Sequence, residues 1–492
     1  MKKYFTKIIV FFLAITLWSC TEEYLETQPT EFISGERIEE VTEYNPDVAK
    51  GQLLGIYSLM YETGTGGTDL DHDDFGQKGY DIYSDLLSGD MVLAGYNYGW
   101  YSTIASYTST TDYTDTDNYK PWRYYYRIIL GANSVIDGLG GNDAELATDE
   151  SKYSMGQAKT MRAFAYFYLS YLYGEEFIND ADVLPIYTST TDPAKPLSTF
   201  ADVYAFVKDD LEQSVSLLEG FARPGKYVVD KNVAEALLAY VYLTMEEYDK
   251  AATAAQNVIN NSGYTMLEMD ELTSDGFNDV NSHSWLWGVD LTLDQGLDLV
   301  SWWGQVDLFT YSYAWAGDPK TMDLGLYNSM RETDARRNQF SDPYGQGIMR
   351  PLDKFYAPGR AIGGQREVTT DYVFMRIEEM YLVKAEAEAF AGNDAEAQQA
   401  LFELVSKRDS IPDYVNTLSG QDLKDEIYKQ TRLELWGEGK SYLALKRNEE
   451  TVVRQGHIEL NDIPIPHNDD RLTLDIPYQE IQDNPFISFQ TD

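Results

Sequence analysis

The 492-residue sequence predicts a mainly α-helical fold, with helix–turn–helix pairs as scaffold and a loop-rich part set into it. Three observations carry that prediction. Apolar residues recur at helical spacing in several segments, Ala and aromatic residues dominate those segments, and short polar turns join them in pairs. Residues 155–173 (MGQAKTMRAFAYFYLSYLY) are the most continuous case, with Gly174 as the expected cap. Residues 199–218 place Val203, Phe206, Val207, Leu211, Val215 and Leu218 on one stripe behind a cap at Ser198 or Thr199.

Residues 232–245 and 248–260 form a tight pair around Glu246-Glu247. A second pair is expected at 371–390 and 394–408, turned by Ala391-Gly392-Asn393, and a long helical stretch at 420–447. The pairs at 232–260 and 371–408 look like tetratricopeptide hairpins. Ala234, Ala239, Ala251 and Ala255 allow close approach, and Tyr240, Tyr242 and Tyr248 fill the remaining gaps. Several such pairs can stack into a solenoid, with a plain helical bundle as the alternative. Two regions break the helical pattern. Residues 61–125 are rich in Gly, Thr, Asp and Tyr, and residues 265–370 hold Trp285, Trp287, Trp302, Trp303 and Trp315. Irregular regions of this length are usually functional.

The N-terminus reads as an export signal. Lys2, Lys3 and Lys7 precede a ten-residue apolar run at 8–17, too short to cross a hydrocarbon core that needs about 20 residues as a helix. Leu17-Trp18-Ser19-Cys20 resembles a bacterial lipobox, with Trp18 where a small residue is usual. That resemblance implies removal of residues 1–19 as a lipoprotein signal peptide and acylation of Cys20, the only cysteine. Acyl chains anchor at about 0.8 kcal/mol per buried methylene, and two hold a protein stably. Residues 20–45 read as a lipidated tether and N-terminal arm. Without residues 1–19 the formal charge deepens from −43 to −46. Such a surface repels phosphate backbones and excludes nucleic acid as a partner. It also disfavours anionic lipid, leaving the anchor to hold the membrane.

A family resemblance emerges from six segments in order. They are Cys20 with Glu22-Glu23, KTMRAFAYFYLSYLYG at 159–174, ALLAYVYLTMEEYDKAATAAQNVI at 236–259, MRIEEMYLVKAEAEAF at 375–390, RLELWGEGKSYLALKR at 432–447 and LDIPYQEIQDNP at 474–485. The chain resembles the SusD/RagB family of outer-membrane nutrient-binding lipoproteins. It departs from the pattern after Gly174, where a small insertion delays Val183-Leu184-Pro185. The resemblance implies a single SusD-like domain over residues 46–492, with four tetratricopeptide-like units as scaffold and a loop-rich ligand-binding part. It implies exposure at the cell surface, and a TonB-dependent transporter of the SusC type as partner. It also implies capture of oligosaccharides or polysaccharides without catalysis, and no required cofactor.

A sugar-binding site wants aromatic platforms beside polar groups. Two loop segments supply them: 90–101 with Tyr96, Tyr98, Trp100 and Tyr101, and 301–315 with Trp302, Trp303, Tyr311 and Trp315. Core packing is the competing fate of each ring. Adjacent Trp302 and Trp303 cannot both face one core if that stretch is extended. Trp285 and Trp287 share a strand face and are expected to pack, as are Trp122 and Trp436. Asp69, Asp71 and Asp73 resemble the oxygen-rich spacing of calcium loops, but the glycine and terminal Glu of an EF-hand are missing. A solvated acidic loop is the competing reading, and a sugar-binding role for Asp73 beside Trp100 is another. The four histidines are scattered without metal-site spacing and read as incidental; neither a phosphate loop nor a GxSxG elbow occurs. By repulsion, the acidic loops favour neutral glycans, a glucan or fructan, over uronates or sulfated chains. A peptide ligand, a helical scaffold for protein partners, and a glycoside hydrolase built on two of the 81 acids are the rival readings.

Overall fold

The computed structural model describes residues 46–488 except Leu70, Glu176, Ile178 and Ile458. The expected signal peptide, Cys20 and the arm at 20–45 lie outside the described residues.

The fold is mainly helical. It opens with α1 (Pro46–Leu59), α2 (Gln77–Leu87) and a short strand β1 (Met91–Leu93). Four long helices follow: α3 (Thr116–Gly138), α4 (Asp149–Tyr173), α5 (Phe200–Leu217) and α6 (Lys231–Thr244). Then come α7 (Tyr248–Asn261), β2 (Trp285–Val289), two single turns α8 (Trp302–Val306) and α9 (Tyr313–Ala316), and β3 (Lys320–Met322). The C-terminal part holds β4 (Tyr372–Arg376), α10 (Glu378–Phe390), α11 (Asp394–Val405), α12 (Gly420–Glu434) and α13 (Ser441–Arg447).

The helices stack in sequence. α3 packs on α4, α4 on α5, α5 on α6 and α6 on α7; α10 then packs on α7 and carries α11 and α12. Local chemistry sets their starts. Side chains of Asp115, Thr148, Thr199 and Asp230 accept backbone N–H groups in the first turns of α3, α4, α5 and α6. Such caps are each worth about 1 kcal/mol. Ala234, Ala239, Ala251 and Ala255 are fully buried, as close packing of α6 on α7 requires. The tyrosines join neighbouring helices. Tyr240 donates to Glu379 at 2.8 Å, Tyr242 to Glu212 at 2.6 Å, and the Tyr248 ring stacks 5.6 Å from Phe390.

Three sequence expectations need correction. Residues 372–376 form strand β4 against β2, so the helix begins only at Glu378. Tyr372, Val373 and Phe374 suit a pleated strand better than a helix. The stretch 420–447 is two helices, because Gly437 and Gly439 adopt φ 81° and 71°. A Cβ there would meet Phe355 and Asp81 at 2.5 Å. The loop-rich region 61–125 contains α2 and the start of α3. Gly174 caps α4 as expected, in an extended conformation (φ −95°) with its N–H on the Ser170 carbonyl. Trp285, Trp287, Trp122 and Trp436 are buried, as expected.

A buried ionic cluster closes the C-terminal part. The Glu434 carboxylate takes Arg408 at 2.7 Å, and Arg376 and Arg336 at 3.2 Å. Arg376 also reaches Glu438 at 2.8 Å, and Arg408 reaches Glu378 at 3.1 Å. Burial opposes the Glu434 charge, but the guanidiniums of Arg408 and Arg376 outweigh it and hold the carboxyl well below the usual range. Removing one member of such a set leaves the others uncompensated. Glu434→Gln should therefore lower unfolding free energy by about 3–5 kcal/mol at neutral pH, read as a urea midpoint shift.

Candidate ligand-binding site

The β1–β3 ribbon brings the two aromatic segments together. Met91 pairs with Met322, Val92 with Thr321 and Leu93 with Lys320, and Ala94 N–H continues to the Pro319 carbonyl at 2.9 Å. The chain leaving β1 and the chain entering β3 therefore run side by side. One buried carboxylate locks them. Asp318 accepts the successive backbone N–H groups of Asn97, Tyr98 (2.8 Å) and Gly99 (3.0 Å). The Asn97 amide donates to the Ala316 carbonyl at 2.9 Å. The contact is too close for a side chain at position 95, where a Cβ would lie 2.2 Å from the Gly317 carbonyl oxygen.

The result is an open aromatic face. Tyr96, Tyr98, Tyr311 and Trp315 are 60, 63, 36 and 47% exposed. Trp100 is half-buried and stacks on the His72 ring, centroids 5.1 Å apart and 7° from parallel. Tyr313 joins them edge-on, 5.2 Å from Tyr98 and 6.4 Å from Trp100, with its hydroxyl 2.5 Å from His72 Nδ1. Burial raises the Tyr313 phenol, which stays neutral, and lowers the His72 imidazole. Tyr311 lies 5.6 Å from Trp315 and carries Arg366 over its ring at 5.1 Å. Arg366 in turn contacts Asp298 at 3.3 Å. Trp315 covers Gly363, where a Cβ would be 2.8 Å from the indole. Tyr311 N–H donates to the Gln365 carbonyl at 2.7 Å, so a third loop joins the site. Exposed rings of this kind, beside a cation, a carboxylate and an imidazole, offer flat apolar area with hydrogen-bonding partners at the edge.

Comparisons with known proteins bear on both halves of this face. The profile described as "Starch-binding associating with outer membrane" matches residues 84–243, which include the 94–101 segment. The profile of the SusD family matches residues 305–487, which include the 311–318 segment. The chain belongs to the SusD/RagB family. SusD-like protein P38 of Formosa agariphila is 24% identical, covering 99% of this chain and 98% of that protein. SusD-like protein P2 of the same organism is 26% identical, with 91% of each covered. Among solved structures, a SusD-like carbohydrate binding protein from Bacteroides vulgatus superposes with a TM-score of 0.77 at 26% identity, over 90% of this chain and 97% of that one. A SusD superfamily protein from Bacteroides thetaiotaomicron gives 0.74 at 26% identity, over 91% and 100%.

Within this SusD/RagB fold several expected site residues sit elsewhere. Trp302 and Trp303 are 1 and 0% exposed. The stretch is not extended: Ser301 caps α8 by accepting Gly304 N–H at 3.0 Å, and the helical turn directs both indoles into one core. Trp302 packs against Phe355 at 5.1 Å with Lys78 4.2 Å over its ring, and Trp303 donates to the Thr370 carbonyl at 2.7 Å. Tyr101 is buried, its left-handed backbone (φ 69°) turning the ring inward against Tyr83. Asp73 is buried too. It faces Lys120 at 2.6 Å, with Asp71 3.8 Å from the same ammonium. Burial pushes its carboxyl up to about 7 despite Lys120. An ammonium thus stands where the calcium reading wanted a metal, and no group of three or more potential ligands occurs among the described residues. Asp69 is described but joins no such group. His72, read as incidental, supports Trp100. Its part, like that of Asp318 and Arg366, depends on contacts across more than 25 positions, which no local pattern shows.

A separate cleft of about 710 Å³ lies among α5, α6, α7, α10 and α13. Its cations are engaged: Arg447 pairs with Glu386 at 2.9 Å, and Lys446 donates to the Tyr171 and Gly174 carbonyls at 3.1 and 2.6 Å. The open aromatic face, not this cleft, carries the most exposed rings.

Two predictions follow from the frame beneath the face. Asp318→Asn should speed amide exchange at Asn97, Tyr98 and Gly99 at least tenfold, with a global stability loss of about 1–3 kcal/mol. Lys320 is fully buried, donates to Gln305 at 2.8 Å, and is lowered by burial to about 8 from 10.5. Between those values the unfolded chain holds a proton that the folded chain has released, so stability rises with pH. Relative to Lys320→Met, the natural chain should gain a few kcal/mol, at about 1.4 per pKa unit, between about pH 8 and pH 10.5, measured by urea unfolding.

Proposed function

We propose that this protein is a non-catalytic glycan-binding lipoprotein of the cell surface, which captures oligosaccharides on its open aromatic face and delivers them to a SusC-like TonB-dependent transporter. The observation that carries the reading is the clustering of exposed Tyr96, Tyr98, Tyr311 and Trp315 with Trp100 at one place. Leaving such rings in water forfeits about 25 cal/mol per Å² of apolar surface, and contiguous exposed apolar patches mark interaction sites. Sugar rings present apolar C–H faces to aromatic planes and hydroxyls to groups such as Arg366 and Asp298.

Support for the cargo class comes from the starch-binding description of the matched profile and from the carbohydrate binding protein of B. vulgatus. The same profile description favours the outer membrane. Attachment there is assigned to acylated Cys20; no described helix is long and apolar enough to cross a membrane. The strongly negative charge favours a neutral chain, a glucan or fructan.

Calorimetry with neutral oligosaccharides, acidic oligosaccharides and peptides tests the reading. Saturable binding of a neutral glycan without new reducing ends is the expected result. Saturable binding of peptides alone would transfer the face to a peptide ligand, and release of reducing ends would make the protein a hydrolase. Trp100→Ala, Trp315→Ala and Tyr98→Ala should each weaken glycan binding five- to thirtyfold, about 1–2 kcal/mol. Undiminished affinity in all three would remove the site.

A further inference from the structure

A pocket of about 150 Å³ adjoins the aromatic face and shares Tyr96 with it. The hydroxyl residues Ser102, Thr103, Ser106 and Thr108 line one side, and His457 and Glu459 the other. Arg454 ties the two sides together behind the pocket. It is buried, donates to the Ala105 carbonyl at 2.6 Å and lies 4.3 Å over the Tyr107 ring.

His457 is the informative group. It is 5% exposed, and its Nδ1 accepts the Glu459 backbone N–H at 3.0 Å. In the neutral ring the hydrogen therefore sits on Nε2. Burial, then the nearby Arg454 charge, lowers the imidazole to about 3, so the ring stays neutral at ordinary pH. Nε2 is buried with no hydrogen-bond partner among the described residues. A buried donor left without an acceptor costs about 1–3 kcal/mol. The loop nevertheless holds the ring in place. His457 N–H donates to Asn461 Oδ1 at 2.9 Å, and Asp462 N–H donates to the Arg454 carbonyl at 2.9 Å. Leu460 and Asp462 adopt φ 55° and 56°, a strain that persists where surrounding structure enforces it and that clusters at binding sites.

We infer that this pocket is a subsite for a single neutral sugar residue, with an oxygen of that residue accepting from His457 Nε2–H. The volume fits one ring, since sites for drug-sized molecules run to roughly 300–1,000 Å³. Thr103 and Thr108 already donate their hydroxyl hydrogens, to Asp117 and to the Thr103 carbonyl, so they face a ligand as acceptors. Glu459 adds a carboxylate acceptor at the rim and repels an anionic residue. Donor, acceptors and the Tyr96 wall together match a polyhydroxylated ring. The inference rests on the glycan-binding reading and adds to it a small side subsite for an end or branch residue.

Monosaccharides probe the subsite apart from the open face. The His457 side-chain nitrogens are followed by NMR in the full protein during titration with glucose, galactose, mannose, fructose, xylose and glucuronate. At least one neutral sugar should shift the Nε2–H signal and slow its exchange, and the shift should persist in Trp100→Ala and Trp315→Ala. His457→Phe should weaken that monosaccharide at least tenfold, while His457→Gln, which keeps a donor, should restore part of the affinity. No shift with any neutral sugar up to its solubility limit would overturn the subsite, as would a response to glucuronate alone. If Trp100→Ala and Trp315→Ala leave oligosaccharide binding intact while the monosaccharide response remains, the open face falls and the subsite stands.

Discussion

The fold depends on one buried carboxylate, Glu434. Three guanidiniums converge on it from Arg336, Arg376 and Arg408, which belong to three separate stretches of chain. Without it, three buried guanidiniums would be left with only Glu378, Glu438 and Asp334 to balance them, and uncompensated buried charge is strongly destabilising. The residues on either side of Glu434 in the chain continue the connection. Arg432 pairs with Asp90 at 2.5 Å, Trp436 Nε1 donates to the Asp90 carbonyl at 2.9 Å, and Gly437 N–H donates to Asp85 at 2.7 Å. Asp85 lies on α2 and Asp90 directly precedes β1. The ionic cluster of the C-terminal helices thus sets the strand from which the aromatic face departs.

The helical scaffold was legible because its signals are local. Ala-rich spacing, capping side chains and Gly392 at the α10–α11 turn all act within a few residues. The errors arose where distant contacts decide. Tyr372 to Arg376 became a strand because Trp285 to Val289 offered an edge to pair with. Trp302 and Trp303 could face opposite ways only on an extended backbone; the stretch is helical, and Ser301, three positions before Gly304, is itself the capping signal for that turn. Asp73 looked like an exposed acid until Lys120 was brought to it from 47 positions away.

Of the aromatic face, the types of residue were readable and their fates were not. The rings that stay outside and those that turn in have the same composition and stand next to one another. What separates Tyr98 from Tyr101 is backbone conformation: the Asp318 hydrogen bonds hold the first outward, and a left-handed turn sends the second inward. His72 entered the face for an equally non-local reason, through the 5.1 Å stack on Trp100.

The way Asp318 grips the 97–99 loop bears on how such a protein can diversify. It holds main-chain amides, which are the same whichever side chains occupy those positions. The rings at 96, 98 and 100 can therefore be exchanged without disturbing the hook that presents them. A lineage can retune which cargo it accepts one substitution at a time, on a frame whose shape is indifferent to the change.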